Sequence, residues 1–502
     1  MSEELTYGSE LRSIKIEKLE KIRSMGINPY PNKFSRTHYS NEIIDNFEEF
    51  EKNGADVSIS GRLIAIRRMG KAAFCHLRDS KGKIQVYIRK DKLSDKAFEL
   101  FGLLDIGDFI GVTGDVFKTR TDEITVLVKE VILLSKTLLP LPIVKEEEVD
   151  GTMVVHDAFA DKELRYRRRY LDLAVNPEIR EVFIKRANIL TEMRKYLEER
   201  DYVEVETPVL QPIYGGAAAR PFKTYHNTLD FELFLRIADE LYLKRLIVGG
   251  FDGVFEISKD FRNEGIDRLH NPEFTMMELY VAYKDYNFMM ELVEDMISKI
   301  AEAVTGSMEI TFQGQKVDLT PPWERLSMYD AVKRYTGYAV EGADKASLKK
   351  IADELDLEIE QFWGTGKIIE EIYSEFVESK IVRPTFIINH PREVSPLAKP
   401  SPENPETVER FEAVITGFEL ANAYSELNDP QEQKQRFMEQ IAQGKMGDEE
   451  AHVMDEDYIM ALEYGMPPTA GLGLGIDRLT MILTDNTSIR DVILFPQMRP
   501  QE

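Results

Sequence analysis

Through residues 57–134, apolar and polar positions alternate with a period of two in five runs: VSISGRLIAIRR, AAFCHLRD, KIQVYIRK, DFIGVTGDVFK and EITVLVKEVILL. Polar turns such as Asp79-Ser80-Lys81-Gly82 and Thr119-Arg120-Thr121-Asp122 separate them. Such alternation marks half-buried strands, and five short strands in succession predict a small Greek-key barrel. Ahead of the barrel, helical spacing covers 11–25 and stops at Gly26 and Asn28-Pro29, and a second helix is predicted over 41–52. Behind it, 138–149 carries Pro140, Pro142 and an acidic run, and reads as a linker between domains.

Helical spacing returns over 177–199, followed by DYVEVETPVL, a strand closed by Pro208. In YGGAAARPF, Gly215 and Gly216 leave backbone open to close approach by a ligand. A helix over 237–248 carries Glu240 in its first turn. The runs 253–261 and 273–283 predict two strands joined by a polar loop with Asn263, Gly265 and Asn271-Pro272 as turn signals. Helices follow over 286–305, 346–355 and 367–380; the last two read as an insertion before the strand TFIINH, and the sequence gives them no chemistry.

Three stretches carry candidate chemistry. In FRNEGIDRLHNPEFTMMELY, alternation puts Phe274, Met276, Glu278 and Tyr280 on one strand face. A solvated hairpin explains a lone Arg or Glu, but Arg262, Glu264, His270, Glu278 and Tyr280 crowd into one hairpin, which favours a site. In RFEAVITGFELANAYSELND, a two-residue turn at Thr416-Gly417 pairs Ile415 with Phe418 and sets Glu412 opposite Ala421. Glu412 and Glu419 then share a face, either as magnesium ligands beside a polyphosphate or as solvent-facing glutamates. Asn422, Tyr424 and Glu426 have the other parity, so they reach the same pocket only if the strand bulges near 421–422. In GLGLGIDRLTMILTD, no βαβ unit surrounds Gly471, Gly473 and Gly475, so a strand packed against a neighbour or an adenine is expected, entering a helix that aims Arg478 at a phosphate.

Composition narrows the setting. The 502 residues imply two or three domains, 30% of them charged. No run is long and apolar enough to span a bilayer, and MSEELTYGSE lacks the marks of a secretory signal, so no membrane and a cytoplasmic location are expected. The single cysteine, Cys75, excludes an internal disulfide and a cysteine-rich zinc site. A net charge of −25 argues against binding nucleic acid through a global basic field. Two local ones remain: Arg12, Lys15, Lys18, Lys21 and Arg23 on the first helix, where a solvated face and RNA contact are equally good readings, and the knot Arg165, Arg167, Arg168 and Arg169, where RNA contact is favoured.

Taken together, these motifs resemble class II lysyl-tRNA synthetases of the bacterial type over essentially the full length. FRNEG with HNPEFTMMELY resembles the second signature of the class and GLGLGIDRL the third. The helix ending in DYVEVETPVL resembles the first, whose proline, here Pro208, lies at the family's dimer interface. YGGAAARPF, ELYLKRLIVGGF, SELND and IRDVILFPQMRP resemble the lysine enzymes in particular. The resemblance implies an α+β protein with a helical arm (1–54), an OB-fold for the anticodon (55–137), a linker (138–175) and an antiparallel-sheet catalytic domain (176–502) with a helical insertion at about 341–382.

It further implies ligation of L-lysine to tRNA(Lys) by a homodimer, through a lysyl-adenylate formed from ATP with Mg2+. Arg262 would span the lysine carboxylate and the α-phosphate. Glu264, His270, Asn271, Phe274 and Gly475 would hold ATP, Arg478 the γ-phosphate, and Glu412 and Glu419 magnesium. Glu240 and Glu278, with Gly215 and Gly216, would take the α-ammonium, Tyr280 and Glu426 the ε-ammonium, Tyr424 the methylenes and Asn422 the carboxylate. Arg67, Phe74, Gln85 and Glu130 fall on anticodon-binding positions, although Phe74 equally suits the barrel core. Two features depart from relatives: Asp239 stands where proline is frequent, and Ala421 and Ala423 replace glycines. Rival readings are a paralogue that lysylates a protein, an aspartate- or asparagine-type synthetase, and a non-enzymatic protein of the same fold. The intact barrel argues against the first, the carboxylate at 426 against the second, and Arg262, Glu419 and Arg478 together against the third.

Overall fold

The computed structural model describes residues 2–54, 56–142, 145–149, 152–156, 159–445 and 453–500. Two compact units make up the chain, Met1–Ala160 and Asp161–Glu502.

In the first unit, the five alternating runs form β1 (Val57–Met69), β2 (Ala72–Arg78), β3 (Lys83–Arg89), β4 (Phe109–Lys118) and β5 (Ile124–Ser135). They close into a barrel in the order β1-β2-β3-β5-β4. Every second residue points inward: Ala73, Cys75 and Leu77 from β2 and Ile84, Val86 and Ile88 from β3 are all buried in one core. Gly114 is required where β4 meets β5, since a Cβ there would sit 1.9 Å from the Leu127 carbonyl oxygen. The helix predicted over 41–52 is two, Ser40–Asp45 and Phe47–Asn53. Asn46 breaks it, its side chain bonding back to the Glu42 carbonyl at 2.8 Å as helix-interior asparagines tend to do. Parts of the predicted linker lie outside the described residues; within the remainder, Lys145–Val149 pairs antiparallel with Thr152–His156. On the first helix, Lys15 bonds Thr137 and Lys18 pairs with Asp105, so these two basic groups hold the helix to the barrel.

The arginine knot in the second unit is also structural, contrary to expectation. Arg169 is 1% exposed and, with Arg165, binds Asp172 at 2.8 Å, while Arg167 binds Glu163; of the four only Arg168 is exposed. The unit is built on an eight-stranded sheet of β6 (Val203–Glu204), β7 (Gly253–Phe261), β8 (Glu273–Ala282), β9 (Glu324–Ser327), β10 (Thr385–Ile388), β11 (Arg410–Ile415), β12 (Phe418–Ser425) and β13 (Thr469–Gly475). Their spatial order is β9-β10-β11-β12-β13-β8-β7-β6, parallel only at the two outer pairs. DYVEVETPVL contributes just the two residues of β6, because Thr207 then turns its amide to the Glu256 carboxylate and Pro208 has none to give.

One face of the sheet is dry. Met277, Leu279, Leu472 and Leu474 pack there against Ile189 and Met193 of the helix Ile179–Glu198 and Met289, Val293 and Met296 of the helix Tyr286–Thr305. An antiparallel sheet covered on one side leaves its other face for a ligand. Phe274, Met276, Glu278 and Tyr280 occupy that other face.

Candidate active site

The three glycines of β13 form the floor. Gly475, Gly473 and Gly471 pair with Met276, Glu278 and Tyr280 on β8, and on the other side Gly473 and Gly471 pair with Asn422 and Tyr424 on β12. Side chains rise from both flanking strands while the strand between them has none, leaving a cavity of about 300 Å³. The expected tight neighbour of Gly471 is a pair of site residues: a Cβ there would lie 2.1 Å from Glu426 Oε1 and 2.5 Å from Tyr280 Cε1.

A bulge puts β12 in phase with this cavity. Val414 pairs with Glu419 but Ala413 with Ala421, so Leu420 is an extra residue. Glu412 therefore faces Asn422, not Ala421, and Glu419, Asn422, Tyr424 and Glu426 come to one face. The bulge falls one residue earlier than the parity argument required. Ala423 belongs to the dry core, and Ala421, also in that core, borders the cavity.

Of the residues expected to hold nucleotide, Arg262, Glu264, His270, Asn271, Phe274, Glu419, Gly475 and Arg478 line the cavity. Arg262 lies over the Phe274 ring at 5.0 Å, and its buried Nε has no hydrogen-bond partner. His270 is held by Asp267 at 2.8 Å, and Asn271 donates to the Glu273 carbonyl and accepts from the Gln497 amide. Arg478 donates to the Glu419 carbonyl at 2.5 Å. Glu412 sits behind the wall on Arg410 at 2.6 Å. The sequence missed Glu378, from the insertion thought to have no chemistry, which accepts the Glu419 amide at 3.0 Å. Burial and the charge of Glu419 push Glu378 up to about 7; burial outweighs Arg410 to push Glu412 up to about 8.

The other half of the cavity is acidic. Gly216, Glu240, Glu278, Tyr280, Asn422 and Tyr424 line it, whereas Gly215 packs on Leu241 and Glu426 is buried at its base. Gly216 has φ +90°, which a side chain rarely tolerates, and a Cβ there would meet Glu240 and Ala238. Tyr424 donates to Glu240 at 2.6 Å and Tyr280 donates to Glu278 at 3.1 Å. Beneath Glu278, the carboxylates of Asp239, Asp260 and Glu278 bring oxygens within 4.8 Å of one another. Burial, Asp260 and Glu256 push Asp239 up to about 8, and burial with Glu256 pushes Asp260 to about 6, although Arg236 binds Asp239 at 2.9 Å and Glu256 at 2.7 Å. Glu240 and Glu426 are bridged by the buried Lys244, another residue the sequence left unremarked.

On the barrel, Phe74 is outside the core. It stacks on Tyr87 at 4.3 Å, opposite the exposed Arg67. Gln85 donates to Glu123 at 2.5 Å and accepts from Thr125, and His76 meets Glu123 at 2.9 Å. Tyr87, His76 and Glu123 were not foreseen, because only the closed register sets them beside Phe74. Glu130 is exposed on β5, three residues past Leu127, the strand partner of Tyr87.

Known proteins match this arrangement along the whole chain. A family described as "tRNA synthetases class II (D, K and N)" matches residues 161–499, and an "OB-fold nucleic acid binding domain" matches 57–134. Lysine–tRNA ligase from Christiangramia forsetii is 53% identical over 501 residues, 98% of this chain and 87% of that protein. The corresponding protein of Carboxydothermus hydrogenoformans is 53% identical over 495 residues, 98% of this chain and 99% of its own. That of Syntrophomonas wolfei is 51% identical over 503 residues, 100% and 99%.

Proposed function

We propose a division of labour for the residues of a chain that belongs to the lysine–tRNA ligase family of class II tRNA synthetases. The reaction is ATP-dependent ligation of L-lysine to tRNA. The observation that carries the residue assignment is one cavity in which three buried carboxylates, Glu240, Glu278 and Glu426, lie at or beneath one end and Arg262, its buried Nε without a hydrogen-bond partner, at the other. A diammonium acid is the amino acid whose charges fit both ends.

Adenylation needs the substrate carboxylate in line with the α-phosphorus of ATP, and no protein nucleophile. Arg262 spans the two anions, so that charge moving onto the bridging oxygen stays under one guanidinium. Phe274 stacks on adenine while Glu264, His270, Asn271 and Gly475 position the nucleotide, and Arg478 takes the γ-phosphate at the start of the helix Ile476–Leu483. Glu240 and Glu278, with Gly215 and Gly216, hold the α-ammonium; Tyr280 and Glu426 hold the ε-ammonium, beside Tyr424 and Asn422. In the second step the 3′-terminal ribose hydroxyl of tRNA(Lys) attacks the lysyl carbonyl and AMP leaves. Residues 55–137 serve the anticodon and 176–502 the chemistry.

Magnesium fits Glu412 and Glu419, with Glu378 beside them: burial and the charge of Glu419 raise the proton affinity of both Glu378 and Glu412, and such an oxygen-rich cluster suits a hard cation. When bound, it would neutralise charge on the polyphosphate. The exposed Val203, Val209, Leu210 and Ile213 around Pro208 support a homodimer through that segment. No helix among the described residues is long and apolar enough to cross a membrane, and we place the protein in the cytoplasm.

ATP–pyrophosphate exchange measured with each of the twenty amino acids tests the reading. Lysine is expected to support exchange and the other nineteen not; absence of exchange with lysine and magnesium would overturn it. On the barrel, Phe74→Ala is expected to lower charging of tRNA(Lys) by about tenfold, since base–aromatic stacking contributes on the order of 1–3 kcal/mol. Exchange should be unchanged, and an equal loss in both assays would make Phe74 structural.

A further inference from the structure

Lys244 has no exposed surface and lies below the cavity, on the helix Glu240–Val248. Its Nζ meets Glu240 Oε1 at 2.5 Å and also pairs with Glu426. The rings of Tyr424, Tyr458 and Tyr280 surround the ammonium at 5.5, 5.8 and 5.9 Å. Beyond Tyr458, Arg245 is held away by Asp455 and Asp457. Glu240 has a second donor in the Tyr424 hydroxyl. Glu426 is different: apart from the ion pair with Lys244, its buried oxygens find no hydrogen-bond donor.

A carboxylate in such a place takes up a proton unless a cation stays beside it. We infer that Lys244 is a positioning residue for lysine selection: a resident ammonium that keeps Glu426 ionised and aligned with Glu240 before substrate arrives, so that the substrate ammonium meets a carboxylate and not a carboxylic acid. This rests on the assignment of Glu426 to the ε-ammonium. Burial and the repulsion of Glu240 push the Glu426 carboxyl up, and the paired Lys244 ammonium pulls it back toward the ionised form. Three tyrosines and one glutamate offer no second positive charge to replace Lys244.

The consequence is a pH dependence of defined sign. Without Lys244, Glu426 carries a proton through neutrality, and binding the substrate ammonium must expel it. Affinity then follows the ionised fraction, which grows as pH rises. In ATP–pyrophosphate exchange, Lys244→Met is expected to raise the KM for lysine at pH 7 by about tenfold or more, and this KM should fall as pH rises from about 6.5 to 8.5. The wild-type KM should be nearly flat over that range, kcat should change less than KM, and Lys244→Arg should restore the flat profile. In Lys244→Met with Glu426→Gln the slope should vanish. A Lys244→Met enzyme whose KM is unchanged, lower, or raised without a pH slope overturns the inference. If that variant does not fold, Lys244→Gln takes its place under the same criteria. Failure of the wild type to exchange with lysine would instead overturn the underlying assignment.

Discussion

Arg262→Ala is expected to lower kcat/KM for lysine-dependent exchange by about 100- to 1,000-fold, the range for removing one preorganised donor from a developing anion. The melting temperature should not fall. Arg262 lies over Phe274 with its Nε buried and without a hydrogen-bond partner, so truncation removes an unsatisfied donor, which offsets the loss of its attraction to the buried Asp260. The charge is held ready for a ligand. Arg262→Lys should recover only part of the loss, because an ammonium lacks the planar fork that addresses two anions at once. A loss in exchange matched by a drop in melting temperature would show that Arg262 serves the fold instead.

Glu426→Gln should raise the KM for lysine by roughly thirtyfold, about 2 kcal/mol, as a buried ammonium loses a charged acceptor. The effect should be confined to lysine, with the KM for ATP unchanged, since Glu426 lies at the base of the acidic end and away from Arg262 and Arg478. An unchanged lysine KM would refute its role. Compared with Lys244→Met, this variant removes the titrating group itself, so its KM should rise without a pH slope.

Much of the frame was legible because period alone specifies it. The strand read over 253–261 is β7, and the helix read over 286–305 is Tyr286–Thr305. Phe274, Met276, Glu278 and Tyr280 were placed on one face by counting twos, and that face lines the cavity. The failures share a cause of another kind. Lys244 sits four residues from Glu240 but reaches Glu426 across 182 positions, and no local pattern links them. Glu378 looks inert in the sequence because its partner, the Glu419 amide, comes from a hairpin 41 positions further on. The arginine knot looked like an RNA patch because Asp172 and the carbonyls of Arg490 and Leu494 could not be seen to satisfy it. Charged residues in particular resist sequence reading, since whether a charge faces water or a buried partner is decided by tertiary packing.

The extra residue at Leu420 gives β12 two reading frames. Ahead of it the strand presents Glu419 to the end of the cavity that holds Arg478, and after it Asn422, Tyr424 and Glu426 to the acidic end; a regular strand would show the cavity one set and bury the other. On the proposed assignment, a single strand would read both substrates of the first step, its frame set by a residue count and by no side chain of its own. Any apolar residue at 420 keeps that frame, whereas a one-residue deletion there would turn either Glu419 or Asn422, Tyr424 and Glu426 into the core. Chain length at this one point is as much a part of the specificity as the carboxylates it aligns.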